Sequence, residues 1–508
     1  MIPRSKNKTQ FSNMRLRLSI LILLLSTSVS FAQKGAKNPY QFTITNLKDT
    51  VVYLANYYGE RLYYADTAYA DAKGQFSFKR IESKNEGKYA VVIPGPKYFE
   101  MIVADGEDIE IHSDTTDLVK NLKVIKSANN KLIYDYVNFL TERRKEREVL
   151  IKKLEESEGQ PDVTAAIKTE YNVLNDKVTA YQKQIVIDNP TLFAAKEIRM
   201  GVDPAPPAEL LEDRTAAYNW YRKHYWDYID LQDDRIVRTP VFHTKLDNFL
   251  NKTLIQDPDT ITQALDELLG QLNPKSEVFK YTVHYSTYTY ETSKIMGMDK
   301  VFVHLVDKWY KSGKAFWLDS EKTKSIVDKA DEKRYTLIGL KAPELILMDS
   351  SGTWIGSQRD LKTKYLILYF YDPDCGHCKK DTPKLVEFYK NYPHGDLSIM
   401  AVSSNRDQKW LDFIKKNEMS FYNVTIPDRA YNDADYATDL IRTRTTTYES
   451  LKYQESFDVQ TTPKIIILDE NRIIRAKDIA VEQVGTIINR LEGRPDPVKP
   501  EEIEMGKE

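Results

Sequence analysis

Residues 365–385 have the sequence YLILYFYDPDCGHCKKDTPKL, which combines an apolar run, a short loop and two cysteines. The apolar and aromatic residues 365–371 predict a buried β-strand, and a helical pattern from Gly376 to about Tyr392 follows the loop. Cys375 and Cys378 therefore lie where a strand gives way to a helix. They are the chain's 2 cysteines among 508 residues, too few for a disulfide scaffold.

The position of the two cysteines predicts redox chemistry. Unpaired backbone N–H groups and the helix dipole would stabilise a thiolate at Cys375, the form that attacks disulfides. Cys378 lies one helical turn later, where it can attack the resulting mixed disulfide, and Gly376 leaves the approach open for a partner's backbone. Half of a zinc site and two inert structural thiols are the alternatives. Zinc takes four ligands and the 7 histidines are scattered, so we expect neither a metal nor a cofactor.

The rest of the C-terminal region alternates between strands and helices. We predict strands at Leu345–Met348, Leu397–Val402, Lys464–Leu468 and Arg472–Ala476, and helices at Gln408–Asn417 and Val481–Leu491. This alternation is typical of an α/β domain with a central sheet, which we assign to residues 337–494. Residues 495–508 are rich in proline and charge and are predicted to form a disordered tail.

The chain before residue 337 predicts two further domains. Short alternating runs broken by glycine and proline turns indicate a small antiparallel β domain at residues 33–126. Apolar residues then recur at helical spacing, for example over Ile261–Leu272 and Val278–Lys311, so residues 127–336 are predicted to be all-helical. The predicted fold class is multidomain: a small antiparallel β domain, an all-helical middle domain and a C-terminal α/β domain.

Residues 1–32 have the features of a secretory signal peptide. A basic flank from Arg4 to Arg17 precedes an apolar run that starts at Leu18, and small residues lead to cleavage after Ala32. The run is shorter than the roughly 20 residues of a membrane span, and no cysteine follows it, which argues against a lipoprotein. We therefore expect an exported protein in the periplasm. The formal net charge of -2 gives no electrostatic reason to expect nucleic acid.

The region from Ile338 to Leu491 resembles the thioredoxin superfamily, in particular the TlpA/ResA-like thiol–disulfide oxidoreductases of exported bacterial proteins. The shared order is an apolar strand, a loop, Cys-x-x-Cys, basic residues and a helix-kinking proline, here Pro383. Thr462 and Pro463, just before the strand at Lys464, resemble the family's cis-proline loop. The resemblance implies that this thioredoxin-like loop faces the cysteines and that Thr462 and Pro463 bind a partner's backbone.

Two departures from the thioredoxins themselves fit the TlpA/ResA-like branch. Thioredoxins have Trp just before the first cysteine and a buried Asp six residues before it, where this chain has Asp374 and Tyr369. The branch instead has an acid three residues after the second cysteine, a position that Asp381 occupies. The resemblance makes Asp381 a candidate general base for Cys378. A solvated acid on the helix surface is the alternative.

The two residues between the cysteines, Gly376 and His377, are expected to tune the redox potential, and His377 resembles the dipeptide of protein disulfide isomerases. A cationic imidazole would favour the Cys375 thiolate. Asp372 and Asp374 act in the opposite direction, and each charge contributes about 1 to 4 kcal/mol at close range. Peroxiredoxins share the fold but have Thr at the position of Asp372, where a carboxylate would repel a developing negative charge. A peroxidase is therefore the weaker alternative.

The regions before the thioredoxin-like domain resemble two families without a known mechanism. Residues 33–126 resemble DUF4369, and His224–Phe242 in the helical region resembles DUF5106. The complete pattern implies an enzyme that reduces or isomerises disulfides in other cell-envelope proteins, with disulfide-containing exported proteins and a membrane or periplasmic electron donor as partners. The alternative is a cell-envelope binding or assembly protein with a non-catalytic thioredoxin-like domain. The first two domains are expected to restrict which protein reaches Cys375, or to build an oligomer.

Overall fold

The computed structural model describes residues 40–392 and 395–495. The predicted signal peptide at residues 1–32, and residues 496–508 of the predicted tail, lie outside the described residues. A β region, a helical region and an α/β region follow one another, so the predicted multidomain fold class is confirmed. Within the described ranges, no helix is both long enough and apolar enough to cross a membrane.

Two four-stranded sheets make up the β region in the described chain. The strands are β1 (Tyr40–Thr45), β2 (Thr50–Tyr58), β3 (Arg61–Ala70), β4 (Gln75–Phe78), β5 (Gly87–Ile93), β6 (Lys97–Val103), β7 (Ile109–Asp114) and β8 (Lys123–Lys126). Their orders are β4-β1-β7-β8 and β3-β2-β5-β6. Most neighbours are antiparallel, but β1 and β7 pair in parallel because the whole second sheet separates them along the chain. The aromatic side chains of Phe42, Phe76 and Phe99 pack in the core.

The secondary-structure elements described in the middle region are all helices. Its helices are α1 (Ala128–Glu156), α2 (Pro161–Asp188), α3 (Phe193–Met200), α4 (Arg214–His224), α5 (Pro240–Asn248), α6 (Pro258–Gly270), α7 (Glu277–Glu291), α8 (Asp299–Leu305) and α9 (Ser320–Arg334). A small cluster of Leu150, Ile167 and Leu174 joins α1 to α2. The later helices pack around one large core rich in aromatic residues, because their apolar residues recur on one face.

The helical pattern that the sequence shows from Val278 to Lys311 is divided between two α-helices. Helix α7 ends at Glu291 and α8 begins at Asp299, so a loop of residues 292–298 interrupts the helical pattern. Gly297 in this loop has φ of 86°, a left-handed conformation that glycine adopts readily and that a continuing α-helix does not contain. The loop approaches the C-terminal domain.

The C-terminal domain contains a seven-stranded mixed sheet among its described residues. Its strands are β9 (Ile346–Asp349), β10 (Trp354–Gly356), β11 (Tyr365–Tyr371), β12 (Leu397–Ser403), β13 (Tyr422–Thr425), β14 (Lys464–Leu468) and β15 (Ile474–Lys477), in the order β10-β9-β13-β12-β11-β14-β15. The helices are α10 (Gly376–Asn391), α11 (Gln408–Lys416), α12 (Asp428–Asn432), α13 (Ala434–Arg442), α14 (Tyr448–Leu451), α15 (Tyr453–Ser456) and α16 (Val484–Leu491). Strand β11 lies in the interior of the sheet, parallel to β12 and antiparallel to β14.

Every residue of β11 is buried because helices cover both faces of the sheet. Tyr369 and Tyr371 face the core shared with α10, α11 and α16, whereas Phe370 faces the core on the other side. The strand predicted for Arg472–Ala476 begins two residues later, at Ile474, because Arg472 has a positive φ of 62° and belongs to a turn.

Candidate active site

Cys375 lies at the junction between β11 and α10. The strand ends at Tyr371, and Cys375 is the N-cap residue of the helix that begins at Gly376. The Cys375 side chain is half-buried, and its Sγ donates a hydrogen bond to the carbonyl oxygen of Thr462 at 3.2 Å. The sulfur is therefore held in place while one side of it remains open to a partner.

Two opposing effects set the pKa of the Cys375 thiol. Burial raises it, but the backbone N–H and the thiol of Cys378, the side chain of Thr462 and the backbone N–H of His377 lower it by more. The balance brings the pKa of Cys375 below its ordinary value. These N–H groups have no partner within the first helical turn, so they favour a thiolate at the helix start.

Cys378 has the opposite environment. Its side chain is fully buried, at 0 % exposure, and its Sγ accepts a hydrogen bond from the backbone N–H of Asp372 at 3.5 Å. Burial raises the pKa of the Cys378 thiol to about 12. Both cysteines are free thiols in this structure. The pair thus combines an accessible sulfur that ionises easily with a buried sulfur that keeps its proton.

The peptide bond between Thr462 and Pro463 is cis, as the sequence predicts. Strand β14 begins at the next residue, Lys464, and pairs antiparallel to β11 with Lys464 opposite Phe370. This register places the loop beside the end of β11, and hence beside Cys375. Binding of a partner's backbone by Thr462 and Pro463 stays a prediction.

Gly376 and His377 are both exposed at the start of α10. No described atom outside the local chain lies within 4 Å of the place that a Cβ on Gly376 would occupy. The side of the helix start next to Cys375 is therefore open space that an approaching chain can fill.

The two acidic residues before Cys375 already have partners. Asp374 forms an ion pair with Lys409 at 2.9 Å, and this contact lowers the pKa of the Asp374 carboxyl group. Asp372 accepts hydrogen bonds from the Ser404 hydroxyl at 2.9 Å and from the backbone N–H of Asp374. The lysine compensates part of the negative charge that the sequence places near the nucleophile.

Asp381 lies on α10 with its side chain half-buried. Its carboxylate accepts a hydrogen bond from Lys384 at 3.3 Å. Within the described residues, no hydrogen bond joins Asp381 to Cys378. Its role as a general base therefore stays a prediction.

Three buried residues with hydroxyl groups, Tyr369, Tyr371 and Thr382, lie in the same part of the core as Cys378. The sequence analysis did not assign these hydroxyl groups to the site. The Tyr369 hydroxyl and the Thr382 hydroxyl lie 2.8 Å apart, and the ring of Tyr371 stacks on that of Tyr369 with centroids 5.4 Å apart. Burial raises the pKa of both tyrosines, so they stay neutral. The available signal was spacing: Tyr369 and Tyr371 alternate onto one face of the strand, and Thr382 is four residues after Cys378.

Among the described residues, no group of three or more His, Cys, Asp and Glu side chains is placed to hold a metal ion. The cysteine pair, the helix start and the cis-proline loop are the chemical components of this site.

An α/β domain with two cysteines at a strand–helix junction and a cis-proline loop beside them is a thioredoxin-like domain. Residues 338–477 match the AhpC/TSA family, and residues 164–333 match DUF5106, a domain of unknown function. The resemblance to DUF5106 is thereby confirmed, and the ResA relatives described next confirm the resemblance of the C-terminal domain to the TlpA/ResA-like oxidoreductases. The resemblance of the β region to DUF4369 stays a prediction.

Curated relatives of the C-terminal domain include the thiol-disulfide oxidoreductases ResA of several Bacillus species. The protein of Bacillus subtilis (strain 168) is 32% identical over 97 residues, which are 19% of this chain and 54% of the relative. The protein of Bacillus thuringiensis (strain Al Hakam) is 29% identical over 96 residues, 19% of this chain and 53% of the relative. The chain therefore spans about half the length of the curated relatives that it matches.

Solved structures from two other bacteria are also similar. A domain of a possible thiol-disulfide isomerase from Cytophaga hutchinsonii is 30% identical, with a TM-score of 0.25, and the match covers 31% of this chain and 94% of that one. A thioredoxin-like protein from Bacteroides caccae is 17% identical, with a TM-score of 0.40, over 56% of this chain and 95% of that one.

Proposed function

We propose that this protein is an exported thiol–disulfide oxidoreductase that reduces or isomerises disulfides in other cell-envelope proteins. The observation that carries the proposal is the inequality of the two sulfurs: the pKa of half-buried Cys375 is lowered, and that of fully buried Cys378 is raised to about 12. A nucleophile must ionise and be reachable, whereas the second thiol should stay inert until the first has reacted.

In the first step the Cys375 thiolate attacks one sulfur of a partner's disulfide. A bond forms between Cys375 Sγ and that sulfur, the partner's S–S bond breaks, and the other partner sulfur leaves as a thiolate. The Thr462 carbonyl oxygen, 3.2 Å from Cys375 Sγ, lies where the partner's backbone arrives. Its lone pairs can accept a hydrogen bond from a partner N–H group.

In the second step Cys378 loses its proton and attacks Cys375 Sγ. The mixed disulfide breaks, the second partner sulfur leaves and takes up a proton, and a Cys375–Cys378 disulfide remains. Two electrons have then passed from the protein to the partner. Asp381, three residues after Cys378 on α10, is the proposed acceptor of the Cys378 proton.

Net reduction requires that an external dithiol donor return two electrons to the Cys375–Cys378 disulfide. Isomerisation does not, because another thiolate of the partner attacks the partner sulfur of the mixed disulfide before Cys378 does. A new disulfide then forms within the partner, and Cys375 leaves as a thiolate. The proposed exported location rests on the basic and apolar pattern of residues 4–32, and the proposed donor is accordingly a membrane or periplasmic protein.

Reduction of insulin by the purified protein, with dithiothreitol as the donor, tests the proposal. The wild-type protein should accelerate the reaction, and Cys375→Ser should abolish that acceleration. Cys378→Ser is the matched variant at the buried sulfur. Incubated with insulin in the absence of dithiothreitol, it should still perform the first step and accumulate a mixed disulfide with insulin that a reductant then releases. Absence of acceleration by the wild-type protein would contradict the proposal and favour a binding or assembly role.

A further inference from the structure

A cavity of about 360 Å³ lies between the helical domain and the cis-proline loop. We call it the cross-domain cavity, and its walls come from residues 290–297 with Asp299 and Lys333 on one side, and from Asp458, Gln460, Thr461, Lys464, Lys477 and Asp478 on the other. The loop of residues 292–298, which interrupts the helical pattern, thus forms part of one wall. Through this loop the helical domain lies close to the proposed active site.

Buried ion pairs hold the two walls together. Lys477, 3 % exposed at its side chain, pairs with Asp299 of the helical domain. Lys333 of the helical domain pairs with Asp458 at 3.1 Å, just before the cis-proline loop. Such contacts favour one position of the two domains, because a shift that breaks the pairs while the interface stays closed would leave charges buried without a partner.

The lining of the cross-domain cavity carries no net charge. Four lysines and four acids contribute to it: Lys294, Lys333, Lys464, Lys477, Glu291, Asp299, Asp458 and Asp478. Ile295 and Met296 stand on the rim with 49 % and 44 % of their surface exposed. A neutral polar wall suits a polypeptide backbone, which carries hydrogen-bonding groups without charge, and an apolar rim suits an uncharged side chain.

The cross-domain cavity lies close to the place where a partner's sulfur would react. Thr461 lines it, and the carbonyl oxygen of the next residue, Thr462, lies 3.2 Å from Cys375 Sγ. Three extended residues span roughly 10 Å. A polypeptide whose cysteine has reacted with Cys375 therefore reaches the cavity within about three residues.

We infer that the helical domain forms one wall of the substrate groove and selects disulfides flanked, within about three residues, by an apolar uncharged side chain that rests on Ile295 and Met296. This inference rests on the proposed function. It gives the helical domain a role in specificity, because a charged side chain at the same place would lose water at an apolar rim.

Peptides that carry a single cysteine blocked with thionitrobenzoate test the inference, since attack by Cys375 releases a coloured thiolate. In four peptides, Leu, Ser, Lys or Glu occupies the positions two residues before and two residues after the cysteine. The free disulfide dithiobis(nitrobenzoate), which has no flanking residues, is the reference probe. The wild-type protein should react fastest with the Leu peptide. Ile295→Glu should lower that rate about tenfold, which corresponds to about 1.4 kcal/mol.

Two further readouts separate selection from a general effect. Ile295→Glu should raise the rate of the Lys peptide relative to the Leu peptide. Ile255→Glu is the matched control, because Ile255 is 62 % exposed in the same domain and is not part of the described cavity lining. It should change none of these rates.

The possible failures are distinguishable. If Ile295→Glu leaves the ratio between the peptides unchanged, or if Ile255→Glu changes it equally, the inference is overturned while the proposed function stands. If the wild-type protein reacts with the free disulfide no faster than an unstructured cysteine does, the proposed function falls and the inference falls with it.

Discussion

The Sγ atom of Cys375 lies 3.2 Å from the carbonyl oxygen of Thr462, although 87 positions separate the two residues in the sequence. The contact exists while the sulfur carries its proton, since an S–H group donates and a carbonyl oxygen accepts. When Cys375 ionises, the N–H groups at the start of α10 stabilise the charge instead. The Thr462 oxygen is then released, and it becomes available to a partner's N–H group at the moment of attack.

The pH dependence of alkylation should differ sharply between the two cysteines. In Cys378→Ser protein, the rate with iodoacetamide should rise with pH as the Cys375 thiolate forms, with a midpoint below the roughly 8.5 of a free cysteine. The direction follows from the lowered pKa of Cys375. In Cys375→Ser protein, Cys378 should stay unreactive through neutral pH, because its pKa is raised to about 12. A midpoint above 8.5 for Cys375 would contradict the assignment of the nucleophile.

Asp381→Asn should slow the second step and leave the first unchanged. Loss of a general base costs on the order of 100-fold in rate, so the mixed disulfide with a partner should persist correspondingly longer, while alkylation of Cys375 keeps its rate and its midpoint. The lifetime is measured by quenching at intervals and separating the trapped species. Glu387→Gln, an exposed acid later on α10, is the control. Equal lifetimes in both variants would identify Asp381 as a solvated acid of the helix surface.

The strand, the helix and the cysteine pair were predictable because each depends on local pattern. The apolar run before Cys375, the helical periodicity after Cys378 and the X-Pro bond at Pro463 are all visible within a few residues. Local pattern does not contain the asymmetry between the sulfurs. Cys378 becomes buried because the tyrosines of β11 and the side chains of α10 and α11 pack around it, and the sequence does not state their distances.

The cross-domain cavity was not predictable for a different reason. The residues from Val278 to Lys311 keep a helical apolar pattern, and the break at residues 292–298 appears only through the left-handed Gly297 and the contact of Asp299 with Lys477. That contact joins positions 178 residues apart. A charged residue such as Lys477 at the end of a strand looks like a solvated terminus until its partner from another domain is known.

Lys464→Met should destabilise the C-terminal domain. The Lys464 side chain is 5 % exposed, pairs with Asp478 at 3.0 Å and donates a hydrogen bond to the carbonyl oxygen of Asp458 at 2.7 Å. Removing it leaves the Asp478 carboxylate without this cation and the Asp458 carbonyl oxygen without this donor. We expect a loss of about 2 kcal/mol in the free energy of unfolding, less than the roughly 3 to 5 kcal/mol for a wholly unpaired buried charge, because Lys333 still pairs with Asp458.

Denaturant unfolding followed by tryptophan fluorescence and circular dichroism measures this loss. Lys452→Met is the matched control, because Lys452 forms a 3.8 Å pair with Glu455 on the surface, and such pairs contribute about 0 to 1 kcal/mol. Equal unfolding midpoints for the two variants would show that the contacts of Lys464 with Asp478 and Asp458 stabilise the protein no more than a surface ion pair does.

Lys409→Met should raise the pKa of Cys375. The Lys409 ammonium group lies 2.9 Å from the Asp374 carboxylate, the residue just before the nucleophile. Without the lysine, the unpaired carboxylate opposes formation of a second negative charge next to it, so the alkylation midpoint should move upward by less than about half a pH unit. Asp374→Asn removes the anion together with the need for its partner, and the double variant should return the midpoint to near the wild-type value. Both groups are exposed, so the shift should shrink as salt is raised from about 0.01 to 1 M. A shift that is downward, or independent of salt, would mean that Lys409 acts on Cys375 through packing and not through charge.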